Sequence, residues 1–392
     1  MKNNFICSYS RTPIGAFKGS LGSIPATKLG SVVIKSVLDK MSVDINNVDE
    51  VIMGNVLSAN LGQAPARQSA IGAGLNSNVE CLTINKVCGS GLKSIMLADD
   101  SISLNRSDLI IAGGMESMSL APHYIQNSRI GTTFGDSKII DSILKDGLWD
   151  PYNNFAMGNC GEVLCKENKY SKKAQDEYAI ESYIRSNNAI KTGAFKDEIA
   201  PVNIINKKNT VVFDVDEEPL RFNEGKLKNL KPAFQKDGTI TAGNASSLSD
   251  GAAAVSLCSE SKLNELGLNP IAKIIDHVSF AMEPLYFTRA PIYAIKKLLN
   301  KNNKSVNEID LFEINEAFSC VTMAAIDELK IDRKKVNVNG GAVSMGHPIG
   351  ASGARIVVTL LNALKIKDKK YGVACLCIGG GEASAILIEM CN

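Results

Sequence analysis

"IIAGGMES", residues 110–117, and "LCIGGGEAS", residues 376–384, decide how this chain is to be read. Each runs from an apolar, strand-like segment into Gly-Gly-x-Glu, once at Gly113–Glu116 and once at Gly379–Glu382. So short a match can arise by chance, but a duplicated half-sheet would explain the pattern around it. Apolar runs alternate with helical periodicity, which predicts an α/β fold. "EVIMGNVL" (50–57) and "DLIIAGG" (108–114) read as buried strands, and Leu92, Ile95 and Met96 begin a helical face between them. Late in the chain Ile356, Val357, Leu360, Leu361 and Leu364 mark a second such helix. "YGVACLCIGGG" (371–381) then reads as a strand running into a glycine turn.

The middle differs. From about 118 to 241 the chain is more polar, with one long amphipathic helix in "SKKAQDEYAIESYIRSNNAI", residues 171–190. The expected organisation is a first half over 1–117, completed by about 242–268, an inserted region over 118–241, and a second half over 269–392.

The bulk numbers set limits. A chain of 392 residues, 45% hydrophobic and 21% charged with a net charge of +2, has ordinary globular composition. It gives no general attraction to nucleic acid or to anionic membrane. No apolar run approaches the ~20 residues of a membrane span. "MKNNFICSYSRTPIGAF" lacks the pattern of a signal peptide, so the ten cysteines read as reduced thiols and the cytoplasm is the expected location. No Cys/His spacing resembles a zinc site.

Four short segments could carry chemistry. In "NKVCGSGLKSI" (85–95), Cys88 sits at a strand-to-helix turn, where backbone N–H groups and the helix dipole favour a thiolate. A buried structural cysteine is the other reading. His347 is one of three histidines and lies in "NGGAVSMGHPIGASGAR" (339–355), a stretch too rich in glycine for a plain connector. It reads as a base beside a thiol or as a turn-capping histidine. Cys377 ends a strand before Gly379, Gly380 and Gly381, matching Cys88 in the other half. In "DLFEINEAFS" (310–319), a strand is expected to end at Asn315 and a helical pattern to begin at Glu316. Asn315 then either serves a developing oxyanion or caps that helix.

Together these segments resemble the thiolase family, and the likeness runs from "SRTPIGAFKGSL" (10–21) to the last strand. It implies a five-layered α-β-α-β-α core of two duplicated α/β halves with an inserted loop domain. It also implies acetyl-CoA C-acetyltransferase chemistry. Cys88, deprotonated by His347, takes an acetyl group from acetyl-CoA, and Cys377 removes a proton from a second acetyl-CoA. His347 and a water held by Asn315 would form one oxyanion site, and the Cys88 and Gly379 N–H groups another. No tightly bound cofactor is implied, only coenzyme A and acyl-CoA substrates, in a homotetramer with neither nucleic acid nor membrane as partner.

The resemblance assigns coenzyme A to the inserted region. Arg221 and Lys226 match positions near the nucleotide, Ser246 and Tyr183 match positions along the pantetheine arm, and Met157 lies in the loop over the acyl pocket. Without the likeness, Arg221 and Lys226 read as solvated surface charge. Many short-chain members carry histidine just before Met157, where this chain has Ala156. "EPLYFTRAPIYA" (283–294), with Phe287, resembles the mitochondrial members that accept a branched methyl substrate. Tyr183, Ala242, Ala245 and Val343 match their potassium site, although Gly243 replaces an alanine, and potassium binding stays an open expectation. The alternatives are a broad-range 3-ketoacyl-CoA thiolase, a ketoacyl synthase, which usually has a second histidine in place of Cys377, and a non-catalytic CoA- or lipid-binding protein.

Overall fold

The computed structural model describes residues 3–205 and 209–391. Nine strands are hydrogen-bonded in one path: β1 (Asn4–Arg11), β2 (Glu50–Gly54), β3 (Glu80–Ile84), β4 (Leu109–Ser117), β5 (Ser249–Ser259), β6 (Ala272–Ala281), β7 (Leu311–Ile314), β8 (Tyr371–Ile378) and β9 (Glu382–Met390). Their order is β7-β8-β9-β6-β1-β5-β4-β2-β3, with the short strand Gly15–Ala16 beside β5. β2 pairs in parallel with β3 and β4, and β7 in parallel with β8. The remaining neighbours on the path are antiparallel.

The order repeats. β2-β4-β5-β1 in the first half corresponds to β7-β8-β9-β6 in the second; one Gly-Gly-x-Glu segment lies within β4 and the other follows the corresponding strand β8. Their local shapes differ. Gly113 and Gly114 stay within β4, whereas Gly380 and Gly381 turn at φ 92° each and start β9. In the second half no strand stands where β3 does. Asn337 takes its place, its side chain accepting from Ile314 N and donating to Ile314 O, both at 2.8 Å.

Helices complete the layers. α3 (Ser90–Ser103) and α8 (Ser352–Ile366) pack together between the two half-sheets, and every α8 residue from Ser352 to Leu364 is buried. α1 (Ala26–Met41) and α2 (Pro65–Gly72) cover the outer face of the first half, and α6 (Ala290–Lys301) and α7 (Ser319–Leu329) that of the second. Three large apolar clusters fill the gaps between these layers. The result is five layers, α-β-α-β-α. Among the described residues no helix is long and apolar enough to cross a membrane.

Among the described residues the segment between β4 and β5 contributes side elements: α4 (Met157–Asn168), α5 (Lys172–Thr192), short helices and three two-stranded antiparallel sheets. A buried charge cluster ties it to the core. Arg11 on β1 donates to Glu198 at 2.5 Å and reaches both oxygens of Asp216 at 2.7 and 2.9 Å. Glu198 also accepts from Thr359 and Asn362 of α8. Replacing Arg11 by methionine leaves two buried carboxylates without their cation. Arg11→Met is expected to cost about 3–5 kcal/mol, read as a lowered urea midpoint at fixed protein concentration. An unchanged midpoint would show that water reaches these carboxylates.

Candidate active site

Two helix starts meet here. A Cβ on Gly91 would stand 2.7 Å from Ala354 N, and one on Gly353 would stand 2.3 Å from Leu92 N. α3 and α8 therefore touch backbone to backbone at their first turns, which only glycine permits. The segments that precede the two helices carry Cys88 and His347, and both residues line one cleft of about 150 Å³.

The turn before α3 is held under strain. Val87, a β-branched residue, takes φ 47°, a conformation that costs on the order of 1–3 kcal/mol. Side chains fix it in place: Val87 N donates to Asn85 Oδ1 at 2.9 Å, Lys86 N to Ser90 Oγ at 2.8 Å, and Ser90 Oγ to Val87 O at 2.7 Å. Cys88 follows, its thiol facing its own N–H and that of Gly379. The backbone N–H groups are where the sequence reading put them, but burial opposes the thiolate that reading favoured. Burial pushes the Cys88 thiol up to about 11, the two N–H groups recovering only part of the shift.

His347 is pinned by its own N–H, which donates to Ser247 O at 3.1 Å. Its ring Nδ1 lies 2.5 Å from Ser352 Oγ, and Ser352 spends its only proton on Pro348 O at 3.0 Å. With that proton assigned to Pro348 O, the ring hydrogen is on Nδ1. Nε2 is left as a bare acceptor with no partner among the described residues, which is the form a base requires. Burial, and then the charge of Arg355, hold the imidazole neutral, down to about 3. The resting pair is thiol and imidazole.

Cys377 lies near the end of β8, 1% exposed, and burial pushes its thiol well up, with Cys88 the next largest influence. Two residues on is Gly379, whose N–H faces Cys88. Asn315 follows β7, and its N–H donates to Cys375 O at 2.9 Å, adjoining it to β8. It caps no helix. Glu316, Ala317 and Phe318 are not helical, and α7 begins only at Ser319. Ser246 N donates to Ala317 O and Ser319 N to Asn244 O, so this backbone pairs across the chain and cannot wind.

Of the expected ligand positions, Met157 and Ser246 line the cleft with Ala156, Phe234, Phe287 and Phe318. Arg221, Lys226 and Tyr183 lie outside that lining. Arg221 is paired with Glu217 at 2.6 Å, Lys226 is exposed, and Tyr183 stacks on Phe222 with ring centroids 4.6 Å apart. Val343 packs in the same small cluster as Tyr183, whereas Ala242 and Ala245 sit on the loop before β5.

Sequence reasoning passed over several residues. Ser352 sets the histidine tautomer. Glu116 accepts from Val56, Leu57 and Gly350 N–H groups and holds the histidine loop. Leu144 and Leu148 form part of the cleft wall. Only Glu116 carried a signal, as the glutamate of the repeated motif.

A neutral thiol reacts only through its small thiolate fraction. Alkylation of Cys88 by iodoacetamide, followed by peptide mass spectrometry, is expected to rise about tenfold per pH unit between pH 7 and 9. A rate already level by pH 7.5 would mean that a thiolate stands preformed.

Known proteins resemble this chain over nearly its whole length. Residues 4–261 match the model of the thiolase N-terminal domain, and residues 268–390 that of the thiolase C-terminal domain. The acetyl-CoA acetyltransferase of Yarrowia lipolytica is 52% identical over 385 residues, covering 98% of this chain and 96% of that protein. Acetyl-CoA acetyltransferase 1 of Arabidopsis thaliana is 50% identical, covering 98% of this chain and 93% of that protein. Among solved structures, the Acat5 thiolase of Ascaris suum in complex with coenzyme A superposes over the whole of both chains with a TM-score of 0.95 at 44% identity. The acetyl-CoA acetyltransferase of Bacillus anthracis gives 0.97 at 39% identity, covering 100% of this chain and 99% of that one. This chain belongs to the thiolase family.

Proposed function

We propose that the protein is an acetyl-CoA C-acetyltransferase, joining two acetyl-CoA into acetoacetyl-CoA and coenzyme A, or running the reverse thiolysis. One observation carries the reading: Cys88 and an unprotonated His347 Nε2 belong to one narrow cleft, with Gly379 N–H on the thiol and Cys377 two residues away. The names and identities of the relatives support the same reaction.

In the synthetic direction His347 Nε2 takes the Cys88 proton as the sulfur adds to the thioester carbonyl. The Cys88 and Gly379 N–H groups receive the oxyanion. Collapse breaks the carbon–sulfur bond to coenzyme A, and the leaving thiolate takes its proton from Cys377. Cys377, now a thiolate in an apolar site, removes a proton from the methyl carbon of the second acetyl-CoA. Burial suits it to both tasks, since it keeps the resting thiol protonated and makes the transient thiolate a strong base. His347 and a water on Asn315 stabilise the enolate oxygen. The enolate carbon attacks acetyl-Cys88, and the departing Cys88 sulfur recovers its proton from His347.

Coenzyme A would lie along Met157 and Ser246, with its nucleotide end toward Arg221 and Lys226 and its arm near Tyr183. A potassium ion would bind beside it at Tyr183, Ala242, Ala245 and Val343, where the charges of Glu218 and Glu316 make the field negative. We also read the molecule as a homotetramer. Ile130, Phe134 and Ile139, in and beside the hairpin of residues 123–125 and 139–141, are each more than two-thirds exposed and would be covered by a partner. Light scattering should give four times the chain mass, and a monomer would remove this reading.

Phe234, Phe287 and Phe318 narrow the cleft, which favours short acyl groups. CoA-dependent cleavage should be fastest for acetoacetyl-CoA and its 2-methyl form, and fall at least tenfold by a six-carbon chain. A rate that holds or rises with length would move the protein to the broad-range thiolases, with Ala156 as the opening. Coenzyme A binding with no cleavage at all would leave a binding protein.

A further inference from the structure

Resting on that reading, we propose that Arg355 is a positioning residue of the reaction: it holds Asn315 by the amide oxygen so that the amide N–H2 stays free. Among the described residues no other group donates to Asn315 Oδ1.

The geometry is local. Ser352 and Arg355 are three residues apart on α8 and share a face, and the His347 ring is hydrogen-bonded to Ser352. Arg355 Nη2 donates to Asn315 Oδ1 at 3.3 Å, and Nη1 lies 3.4 Å from Glu313 Oε2. Arg355 and Glu313 are each 2% exposed. With Oδ1 engaged, Asn315 has only Nδ2 to offer, and that atom is buried with no partner among the described residues. His347 Nε2 is the second such atom at this site. These two unmatched groups, one donor and one acceptor, are what an enolate oxygen and a thiol proton require.

Burial pushes the Glu313 carboxyl up to about 8, against the pull of the Arg355 guanidinium beside it. A guanidinium stays protonated even when buried. Across the cleft from His347 is the neutral Cys88, and Cys377 lies on β8 beyond it. Glu116 on β4 is occupied by Gly350 and the backbone after β2, and Arg355 is the charge that acts on the imidazole. A histidine protonated before substrate arrives could not take the Cys88 proton.

The test uses the full-length enzyme with the histidines carbon-13 labelled, since there are three in the chain. In the wild type the His347 ring should stay neutral down to pH 5. In Arg355→Met its titration should move up by one pH unit or more, while kcat for acetoacetyl-CoA thiolysis falls 10–100-fold and KM changes less than threefold. Arg355→Lys should leave the His347 titration in place and still lose about tenfold in kcat, because one ammonium cannot hold Asn315 and Glu313 together. Should the methionine variant fail to fold, the lysine variant carries the test, and wild-type kcat there would overturn the proposal. A folded methionine variant with wild-type kcat and an unmoved His347 titration would also overturn it. A wild type without thiolysis would instead sink the reading on which the proposal rests.

Discussion

Everything in this molecule that could do chemistry depends on one close contact, the backbone of α3 against the backbone of α8. No side chain separates Gly91 from Ala354 or Gly353 from Leu92. Gly114 adds a third point, since a Cβ there would stand 2.1 Å from Gly350 O. Helix axes usually lie 8–10 Å apart because side chains fill the gap, and glycine at the contact lets these two come closer. The duplicated halves thus meet at their helix starts. Each half delivers to the junction the residues of its own strand-to-helix turn: Cys88 from the first and His347 from the second. A larger residue at Gly91 or Gly353 would separate sulfur from imidazole before it did anything to the fold at large.

Burial is the second condition, and it acts on each group differently. The same desolvation that raises Cys88 lowers His347, so the pair rests uncharged. In the proposed reaction charge appears only while a substrate occupies the cleft, with the N–H groups of Cys88 and Gly379 already facing the sulfur. Preorganised dipoles of this kind require no rearrangement at the moment of reaction. A permanent thiolate would be open to alkylation and oxidation between turnovers. A neutral pair avoids that exposure and transfers a proton during the attack instead.

What could be read from the sequence followed the glycines. Cys88, His347 and Cys377 stood out because each adjoins a glycine-rich turn, and such turns mark places where backbone must approach closely. The repeated Gly-Gly-x-Glu announced the two halves, and the strand order bears this out. The segment at 316–318 misled because the apolar spacing of Val321, Ala324 and Ala325 extends back to Ala317 and Phe318. Nothing in that spacing reveals that Asn244 and Ser246 will claim the backbone groups a helix would need. Leu144, Leu148 and Phe234 come from the polar middle segment, where no period marks them. Ser352 and Arg355 sit on α8, a helix buried all round, so burial alone could not separate a positioning side chain from a packing one.

That last point explains why polar residues are tolerated at the centre of the molecule. α8 passes between two half-sheets, and a polar side chain in such a layer costs several kcal/mol unless it is matched. Thr359 and Asn362 are matched by Glu198, and Glu198 by Arg11. Toward its N-terminus the helix departs from this rule: among the described residues Arg355 Nε has no partner, nor do Glu313 Oε1, Asn315 Nδ2 and His347 Nε2 nearby. Full pairing in the body of the helix and missing partners at its reactive end are what a fold would show if it kept hydrogen-bonding capacity for a substrate. The layer that makes the core stable is therefore the layer that holds the site incomplete until acyl-CoA arrives.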